Sequence, residues 1–265
     1  MVAGDPFSAH WFIRSISNVD GADRHEGWEA VDVEAWLRQA SSLARDASHT
    51  ARSLRLPTSQ TLYNVHTYAW PCYAAFVRRY HASSDRPVAF VAMNPGKNGA
   101  VQTGIPFTDH ARAIELLPEF EKLRRRPPHP LPKPGREQSG RRVYAWGLRR
   151  FGSYEAFLRD VVVLVTCPLA ILEWRMGRAV NVPLPSLSRP NRDAVVALIH
   201  RHLPGLLATI RPRGVVLLGN WARDVWIGGD LPTVVGLHPA AHLPDREWLE
   251  AMDRTVEKVL GGLDA

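Results

Sequence analysis

The stretch "VAFVAMNPGKNGAVQTGIPF" (residues 88–107) joins a strand-like segment to an unusually long loop. It opens with a continuous apolar run, which is typical of a strand covered on both faces in a parallel sheet. The chain then runs from Asn94 to Phe107 through small and polar residues, whereas a tight turn takes roughly four residues. We therefore expect this loop to carry a function as well as a change of direction.

Three further apolar runs have strand length, and helical patterns alternate with the runs. The additional strand candidates span residues 161–165, 214–219 and 233–237. The spacing of apolar residues predicts helices at 31–47, 73–81, 154–160, 192–210 and 246–260. Strands that alternate with helices predict an α/β fold. We expect a single three-layer domain in which helices flank a four-stranded, mainly parallel central sheet.

The composition along the chain indicates an N-terminal extension, one domain and a basic insertion within it. Residues 1–60 are polar and mixed, and we predict a helical or irregular extension there. The α/β domain is predicted to span residues 61–265, with an insertion at 124–142 that is rich in proline and arginine. Because proline disfavours helices and central strands, we expect this insertion on the surface. A solvated linker and a contact with a phosphate backbone both fit its composition.

The residues that directly follow the four predicted strands are candidates for a functional site. The strands are followed by Asn94-Pro95-Gly96, Thr166-Cys167-Pro168, Asn220-Trp221 and His238-Pro239. In open α/β sheets, ligands bind beyond the carboxyl ends of the strands. We therefore expect the four loops to converge on one cleft.

Composition favours a polyanionic partner and a reducing compartment. The chain carries 33 Lys and Arg against 26 Asp and Glu, a formal charge of +7, and nearly all the cations are arginine. Arginine suits phosphate, although an arginine bias of the genome would give the same composition. Two cysteines are too few for a disulfide framework, and neither a signal peptide nor an apolar run of about 18 residues is recognisable. We expect a monomer in the cytoplasm, associated with the nucleoid if bacterial, without a membrane partner.

Several common catalytic motifs are missing from the sequence. It contains no P-loop, no G-x-G-x-x-G dinucleotide fingerprint, no zinc pattern and no G-x-S-x-G nucleophile elbow. A metal-free site built from Asn94, Phe107 and His238 remains. Asn94 can hold a water molecule, a neutral His238 can donate to an oxygen that gains negative charge, and Phe107 can stack on a ring. An asparagine before Pro-Gly is also a common turn residue, and a histidine at a strand end is often structural.

Several segments of the chain match motifs of one known enzyme family. "MNPGKNGAVQTGIPF" (93–107) and "GLHPAAH" (236–242) resemble the two catalytic motifs of the single-strand-selective monofunctional uracil-DNA glycosylases. Further matches occur in "LYNVHTYAW" (62–70), "SGRRVYAWGLRRFGSYEAF" (139–157) and "CPL" (167–169). The resemblance covers about residues 60–260 and implies a uracil-DNA glycosylase-like α/β fold.

The resemblance implies a role for the residues of the two motifs. Asn94 would position the hydrolytic water, and His238 would stabilise the departing base. Phe107 would stack on a base flipped out of the DNA, and the backbone of Met93 and Gly96 would line its pocket. The family removes uracil and oxidised uracils from DNA without a metal or other cofactor and without a Schiff-base lysine.

The same resemblance implies a DNA partner that carries damaged bases, in single- or double-stranded form. Residues 175–189 fall where the family contacts DNA, and the residues after His238 correspond to a loop that wedges into DNA. The candidate DNA contacts in and beside these segments are Arg175, Arg178, Asn181, Arg189, His242 and Arg246.

Two departures from the family pattern leave the preferred base open. Val165 stands where the family has an asparagine that reads the base edge, so Thr166 or the backbone would have to read it. The loop after His238 is shorter and lacks the matching arginine. The predicted function is a monofunctional DNA glycosylase for uracil, oxidised uracil or another deaminated base. A non-catalytic DNA-binding relative and an unrelated nucleoside hydrolase remain alternatives, as does Lys97 as a nucleophile.

Overall fold

A computed structural model of the chain describes residues 31–85 and 87–261, and its elements are numbered in chain order. The helices are α1 (Val33–Ser53), α2 (Val65–Tyr68), α3 (Trp70–His81), α4 (Ala100–Thr103), α5 (His110–Leu116), α6 (Phe120–Leu123), α7 (Gln138–Phe151), α8 (Tyr154–Asp160), α9 (Arg189–Ile210), α10 (Asn220–Asp224) and α11 (Asp245–Gly261). The strands are β1 (Gln60–Asn64), β2 (Val88–Ala92), β3 (Val161–Val165), β4 (Leu169–Arg175), β5 (Arg178–Asn181), β6 (Gly214–Leu218) and β7 (Thr233–Gly236).

Four strands form the central sheet in the order β3-β2-β6-β7, and every pair is parallel. Val88 at the start of β2 pairs with Val161 of β3 on one side and with Gly214 of β6 on the other. All residues of β2 and β6 are buried, as their continuous apolar runs predict. The α/β fold class with a four-stranded central sheet is therefore confirmed, and this sheet is parallel throughout the described residues.

Both faces of the central sheet are covered by helices. Alternate residues of its strands point to opposite sides and belong to two different clusters. Phe90 of β2 and Val216 of β6 belong to the main core, which also contains residues of α1, α3, α7, α8, α9 and α11. Ala89 and Val215 belong to a separate cluster that includes Ala222 of α10. Helices therefore enclose the sheet as expected. None of the helices in the described ranges has the length and apolar character needed to cross a membrane.

The structure contains a second, antiparallel sheet that the sequence did not predict. It contains three strands in the order β1-β4-β5, with Trp174 of β4 opposite Ala179 of β5. Met176 and Gly177 connect β4 to β5 with φ values of 48° and 72°, as in a tight hairpin turn. Because β5 is largely exposed, no apolar run marks it in the sequence. Part of the segment expected to contact DNA is therefore a hairpin.

The predicted helix at 31–47 is α1, which continues to Ser53 and packs against α3 and α9. Trp36 is buried, and its Nε1 donates a 2.9 Å hydrogen bond to the Tyr73 hydroxyl on α3. The helix therefore takes part in the main core, although its position in the sequence suggested an extension. The domain boundary after residue 60 stays a prediction, and residues 1–30 lie outside the described residues.

The insertion predicted at 124–142 is helical at its C-terminal end. α7 begins at Gln138, so residues 138–142 are helical. The last proline of the segment is Pro134, and nothing after it prevents a helix. Three side chains donate hydrogen bonds to backbone carbonyl groups ahead of α7: Tyr63 to Pro130 at 2.8 Å, Gln102 to Pro132 at 3.0 Å and Asn98 to Arg136 at 3.2 Å. The segment is therefore fixed against β1 and the loop after β2.

Candidate active site

A cavity of about 420 Å³ lies at the carboxyl ends of three central strands. Asn94 follows β2, Val165 ends β3 and His238 follows β7, and all three residues line the cavity. The loop after β6 supplies no lining residue, because Asn220 and Trp221 begin α10 instead. Of the four predicted loops, those after β2 and β7 therefore line the cavity. The loop after β3 does not, although Val165 at the end of that strand does, and the loop after β6 does not either.

The loop after β2 reaches the cavity through a compact turn. The carbonyl oxygen of Gly96 accepts a 3.1 Å hydrogen bond from the N–H of Gly99. α4 is then followed by Gly104, whose φ is 76°, and a Cβ at this position would lie 2.5 Å from the side chain of Ala69. Glycine therefore suits the end of this turn. The turn leaves Met93, Asn94 and Gly96 in the lining of the cavity, where the resemblance places them.

Phe107 lines the same cavity from the end of this loop, in a strained backbone conformation. Its φ of 55° lies in the left-handed region, which residues other than glycine rarely adopt. Such strain persists where the surroundings enforce it, often at functional sites. A Cβ on Gly140 of α7 would lie only 1.8 Å from the carbonyl oxygen of Phe107. α7 therefore fixes the backbone that carries the Phe107 ring.

His238 has one ring nitrogen engaged and the other available as a donor. Its Nδ1 accepts a 3.0 Å hydrogen bond from the backbone N–H of Ala240, so a neutral ring carries its proton on Nε2. Burial lowers the pKa of His238, which favours the neutral ring. At the end of β6, Gly219 has a φ of 92°, and a Cβ there would lie 3.2 Å from Cβ of His238. β6 therefore supports the histidine without lining the cavity.

A buried arginine, whose burial the composition of its segment does not predict, holds the loop after His238. Arg142 of α7 lies within the segment expected to be a surface insertion, yet its side chain is only 6% exposed. Its Nε lies 2.8 Å from the carboxylate of Asp245. Its guanidinium also donates to three carbonyl groups of the loop: those of Pro239 at 2.9 Å, Ala241 at 2.8 Å and Leu243 at 2.7 Å. The buried guanidinium group of Arg142 therefore holds the loop after His238 in place; this loop is called the histidine loop below.

Val165 lines the cavity, but Thr166 does not. Thr166 is buried, and its Oγ1 donates a 2.7 Å hydrogen bond to the carbonyl group of Met93. Its backbone N–H donates a 2.9 Å hydrogen bond to Ala92. Both groups are engaged within the protein, so the geometry does not support Thr166 as the residue that reads a base edge. At Val165 the cavity wall is apolar.

The candidate DNA contacts occupy different positions relative to the cavity. Asn181 lines it, and the Asn181 side-chain oxygen accepts a 3.0 Å hydrogen bond from the backbone N–H of Lys97. Arg175 lines an adjoining groove of about 390 Å³, which Asn181 also lines. The remaining candidates are exposed and line neither of these two concavities: Arg178, Arg189, His242 and Arg246.

The N-terminal end of α7 contributes lining residues that sequence reasoning missed. They are Arg136, Glu137, Gln138 and Ser139. Burial raises the pKa of Glu137, although Ser139 and Lys97 act in the opposite direction. In the sequence, Arg136, Glu137, Gln138 and Ser139 lie shortly after Pro134, the last proline of the insertion, and Ser139 also begins the segment 139–157 that matches the family. No group of three or more His, Cys, Asp or Glu side chains able to hold a metal ion occurs among the described residues.

Comparisons with known proteins agree with the motifs, although no protein-family model matches the chain. The chain is 34% identical to the single-strand selective monofunctional uracil DNA glycosylase of Bos taurus over 171 residues, which cover 62% of this chain and 61% of that protein. It is 32% identical to the protein of the same name from Mus musculus over 170 residues, covering 62% and 60% of the two chains. The resemblance to this family is confirmed.

The similarity to these glycosylases covers part of their length, because the chain spans about three fifths of the curated relatives that it matches. A structural match covers more of the chain. The crystal structure of wild-type SMUG2 from Pedobacter heparinus aligns with a TM-score of 0.60 at 20% identity, covering 83% of this chain and 98% of that chain. The two proteins therefore share a fold, and the expected uracil-DNA glycosylase-like architecture is confirmed.

Proposed function

We propose that this protein is a monofunctional DNA glycosylase, which flips a damaged base out of DNA and hydrolyses its N-glycosidic bond. The product would be an abasic site for base-excision repair. One observation carries the proposal: Asn94 and His238 lie far apart in the sequence, yet both line one cavity together with Phe107. The names of the similar proteins support the same reaction class. The candidate substrates are uracil, oxidised uracil and other deaminated bases.

In the proposed reaction, Asn94 places the attacking water molecule. The side-chain carbonyl group of Asn94 accepts a hydrogen bond from the water, and Gly96 allows the backbone to approach the substrate closely. The water oxygen forms a bond to C1′ of the deoxyribose as the bond between C1′ and the base nitrogen breaks. The electron pair of the broken bond leaves with the base, and the proton released by the water passes to the base or to solvent.

His238 stabilises the negative charge that develops on the departing base. Its Nε2–H donates a hydrogen bond to a carbonyl oxygen of the base as that oxygen becomes anionic. Because Nδ1 already accepts from Ala240, the ring needs no rearrangement to present this donor. A donor held in place before the reaction is typically worth a factor of about 10²–10³ in rate.

Phe107 contributes to holding the base outside the DNA stack. Rotating a nucleotide out of a duplex costs a few kcal/mol, and stacking on an aromatic ring returns roughly 1–3 kcal/mol. The cavity volume of about 420 Å³ lies within the range of small-molecule binding sites. Because α7 holds the Phe107 backbone, the position from which the ring projects is set before DNA binds.

A groove beside the cavity supports DNA as the partner. The groove of about 390 Å³ shares Asn181, Val182 and Pro183 with the cavity. Arg55 and Arg175 line it, as does Glu173, which forms an ion pair with Arg175. Arginine binds phosphate through two parallel hydrogen bonds. A strand whose damaged nucleotide occupies the cavity can continue through this groove with its phosphates near the two arginines.

Release of bases from synthetic oligonucleotides tests the proposal. Single strands and duplexes that carry uracil, 5-hydroxymethyluracil, hypoxanthine or xanthine are incubated with the protein and then treated with alkali. At least one lesion should give a strand break that requires the alkali, and Asn94→Ala should remove it. If a control glycosylase acts under the same conditions and this protein releases none of these bases, the proposal fails. Salt-sensitive DNA binding without release would then indicate a non-catalytic DNA-binding protein.

A further inference from the structure

Glu137 is the one acidic residue among the described residues that lines the candidate active site. It directly precedes α7 and is partly buried. Its backbone N–H donates a 3.1 Å hydrogen bond to the carboxylate of Asp109, which fixes the start of the helix. No step of the reaction proposed above uses its carboxyl group.

The carboxyl group of Glu137 lies against the loop after β2. A Cβ built on Gly96 or Gly99 would lie 3.0 Å from Oε2 of Glu137. Three residues further along, Gly140 contacts the carbonyl oxygen of Phe107. Glu137 therefore lies beside the glycines that line the cavity and beside the segment that carries the stacking ring. In the proposed reaction, this end of the cavity receives the base.

Several polar side chains on or beside the cavity wall already have hydrogen-bond partners within the protein. Val165 is apolar, and three polar groups already have partners within the protein. The Thr166 hydroxyl donates to Met93, the Asn98 amide donates to Arg136 and the Asn181 oxygen accepts from Lys97. The Glu137 carboxyl group also has a partner, since Ser139 donates hydrogen bonds to it, but a carboxyl group has two oxygens and can bond to Ser139 and to the edge of a base together.

Deaminated bases share one hydrogen-bonding edge that a protonated carboxyl group matches. Uracil, hypoxanthine and xanthine each carry a ring N–H next to a carbonyl group. A protonated carboxyl group has one O–H donor and one carbonyl acceptor in the same arrangement. Burial raises the pKa of Glu137 and the charge of Asp109 adds to this rise, whereas Ser139 and Lys97 oppose it. The protonated form is therefore more accessible than in an exposed glutamate.

We propose that Glu137 is a specificity-determining residue, which binds the ring N–H and the adjacent carbonyl group of a deaminated base in the cavity. The inference rests on the glycosylase function proposed above. It accounts for the recognition of a polar base edge in a cavity whose wall at Val165 is apolar.

The test compares bases with and without the ring N–H. The wild type is first assayed with uracil and with hypoxanthine. Single-turnover excision of the base that is released faster is then compared with excision of its methylated form, 3-methyluracil or 1-methylhypoxanthine. In the wild type, methylation should slow excision by about 10- to 100-fold, the effect of one or two hydrogen bonds. Glu137→Ala should slow excision of the unmethylated base by a similar factor and bring the two rates together. Glu137→Gln keeps a donor and an acceptor and should keep the wild-type preference.

Glu155→Ala, on the exposed first turn of α8, is the matched control and should leave the preference unchanged. If Glu137→Ala slows both bases equally, Glu137 has a structural role, and the inference is overturned while the glycosylase function stands. Unchanged rates in Glu137→Ala overturn it as well. If the wild type releases no damaged base at all, both proposals fail.

Discussion

The backbone N–H of Ala240 donates a 3.0 Å hydrogen bond to Nδ1 of His238, and this contact determines which ring nitrogen carries the proton. The two residues belong to one short loop after β7, so the tautomer is set locally. A proton on Nδ1 would turn the acceptor into a second donor facing the same N–H. Burial of the ring also opposes the charged form and lowers the pKa of His238.

The rate of excision should therefore stay constant when the pH is lowered slightly. The ordinary histidine pKa is 6.5, and the lowered pKa keeps His238 neutral somewhat below that pH. We expect the rate to hold through pH 6.5 and to fall only at lower pH, when the ring gains a proton and loses its bond to Ala240. A pH profile of the single-turnover rate checks this, with His238→Gln as the control that lacks this titration. If the rate of the wild type, and not that of His238→Gln, fell with a midpoint at or above pH 6.5, this expectation would be contradicted.

Arg142 and Arg141 provide a matched pair for testing how the histidine loop is held. Both contact the carboxylate of Asp245, but only Arg142 is buried and bound to the loop carbonyl groups. Arg142→Ala should lower the free energy of unfolding by about 3 kcal/mol, because buried partners lose their donors. Arg141→Ala should lower it by less than about 1 kcal/mol, as is typical of exposed ion pairs. Chemical denaturation measures both values, and similar losses would show that Arg142 does not anchor the loop.

The sequence predicted the central sheet well because three of its four strands, β2, β3 and β6, are almost fully buried, whereas β7 at the edge is partly exposed. Such strands appear as uninterrupted apolar runs, and Val88–Ala92 and Gly214–Leu218 are fully buried. The second sheet escaped prediction because β5 is largely exposed and its hairpin turn contains Met176, a residue without a turn preference. Local pattern therefore fails where a strand is stabilised mainly by its neighbours in the sheet.

The candidate site was predictable only where a residue directly follows a buried strand. Asn94 and His238 do so, and both line the cavity. Arg142 and Glu137 lie in a segment whose overall composition is that of a solvated surface insertion. Their burial follows from the packing of α7 against the segment after β2 and the loop after β7. These contacts join residues far apart in the sequence, so composition does not predict them.

Phe107 allows backbone strain to be separated from stacking. Because its φ is 55°, glycine should suit this position better than alanine by about 1 kcal/mol in the free energy of unfolding. Both Phe107→Gly and Phe107→Ala remove the ring and should slow excision by a similar factor. Chemical denaturation and single-turnover rates measure the two effects. If the alanine variant were the more stable, the backbone strain at this position would be refuted.

Arg175 provides a test of the groove beside the cavity. Arg175→Ala should weaken DNA binding and reduce the slope of log affinity against log salt by about 1, the effect of one phosphate contact. Arg159→Ala is the control, because Arg159 is also paired with a neighbouring carboxylate but lies at the end of α8, next to the start of β3. Titration of a labelled oligonucleotide at several salt concentrations gives the slopes. Equal slopes for both variants would exclude this groove as the path of the strand.

The most direct test of the central claim is the single-turnover rate of base release by the wild type, Asn94→Ala and His238→Ala. The substrate is the best lesion from the oligonucleotide panel, and DNA binding is measured in parallel. We expect strand breaks only after alkali, a loss of about 10²–10⁴ in rate for Asn94→Ala and of about 10²–10³ for His238→Ala, with DNA affinity retained. Release at the wild-type rate by either variant would contradict the account.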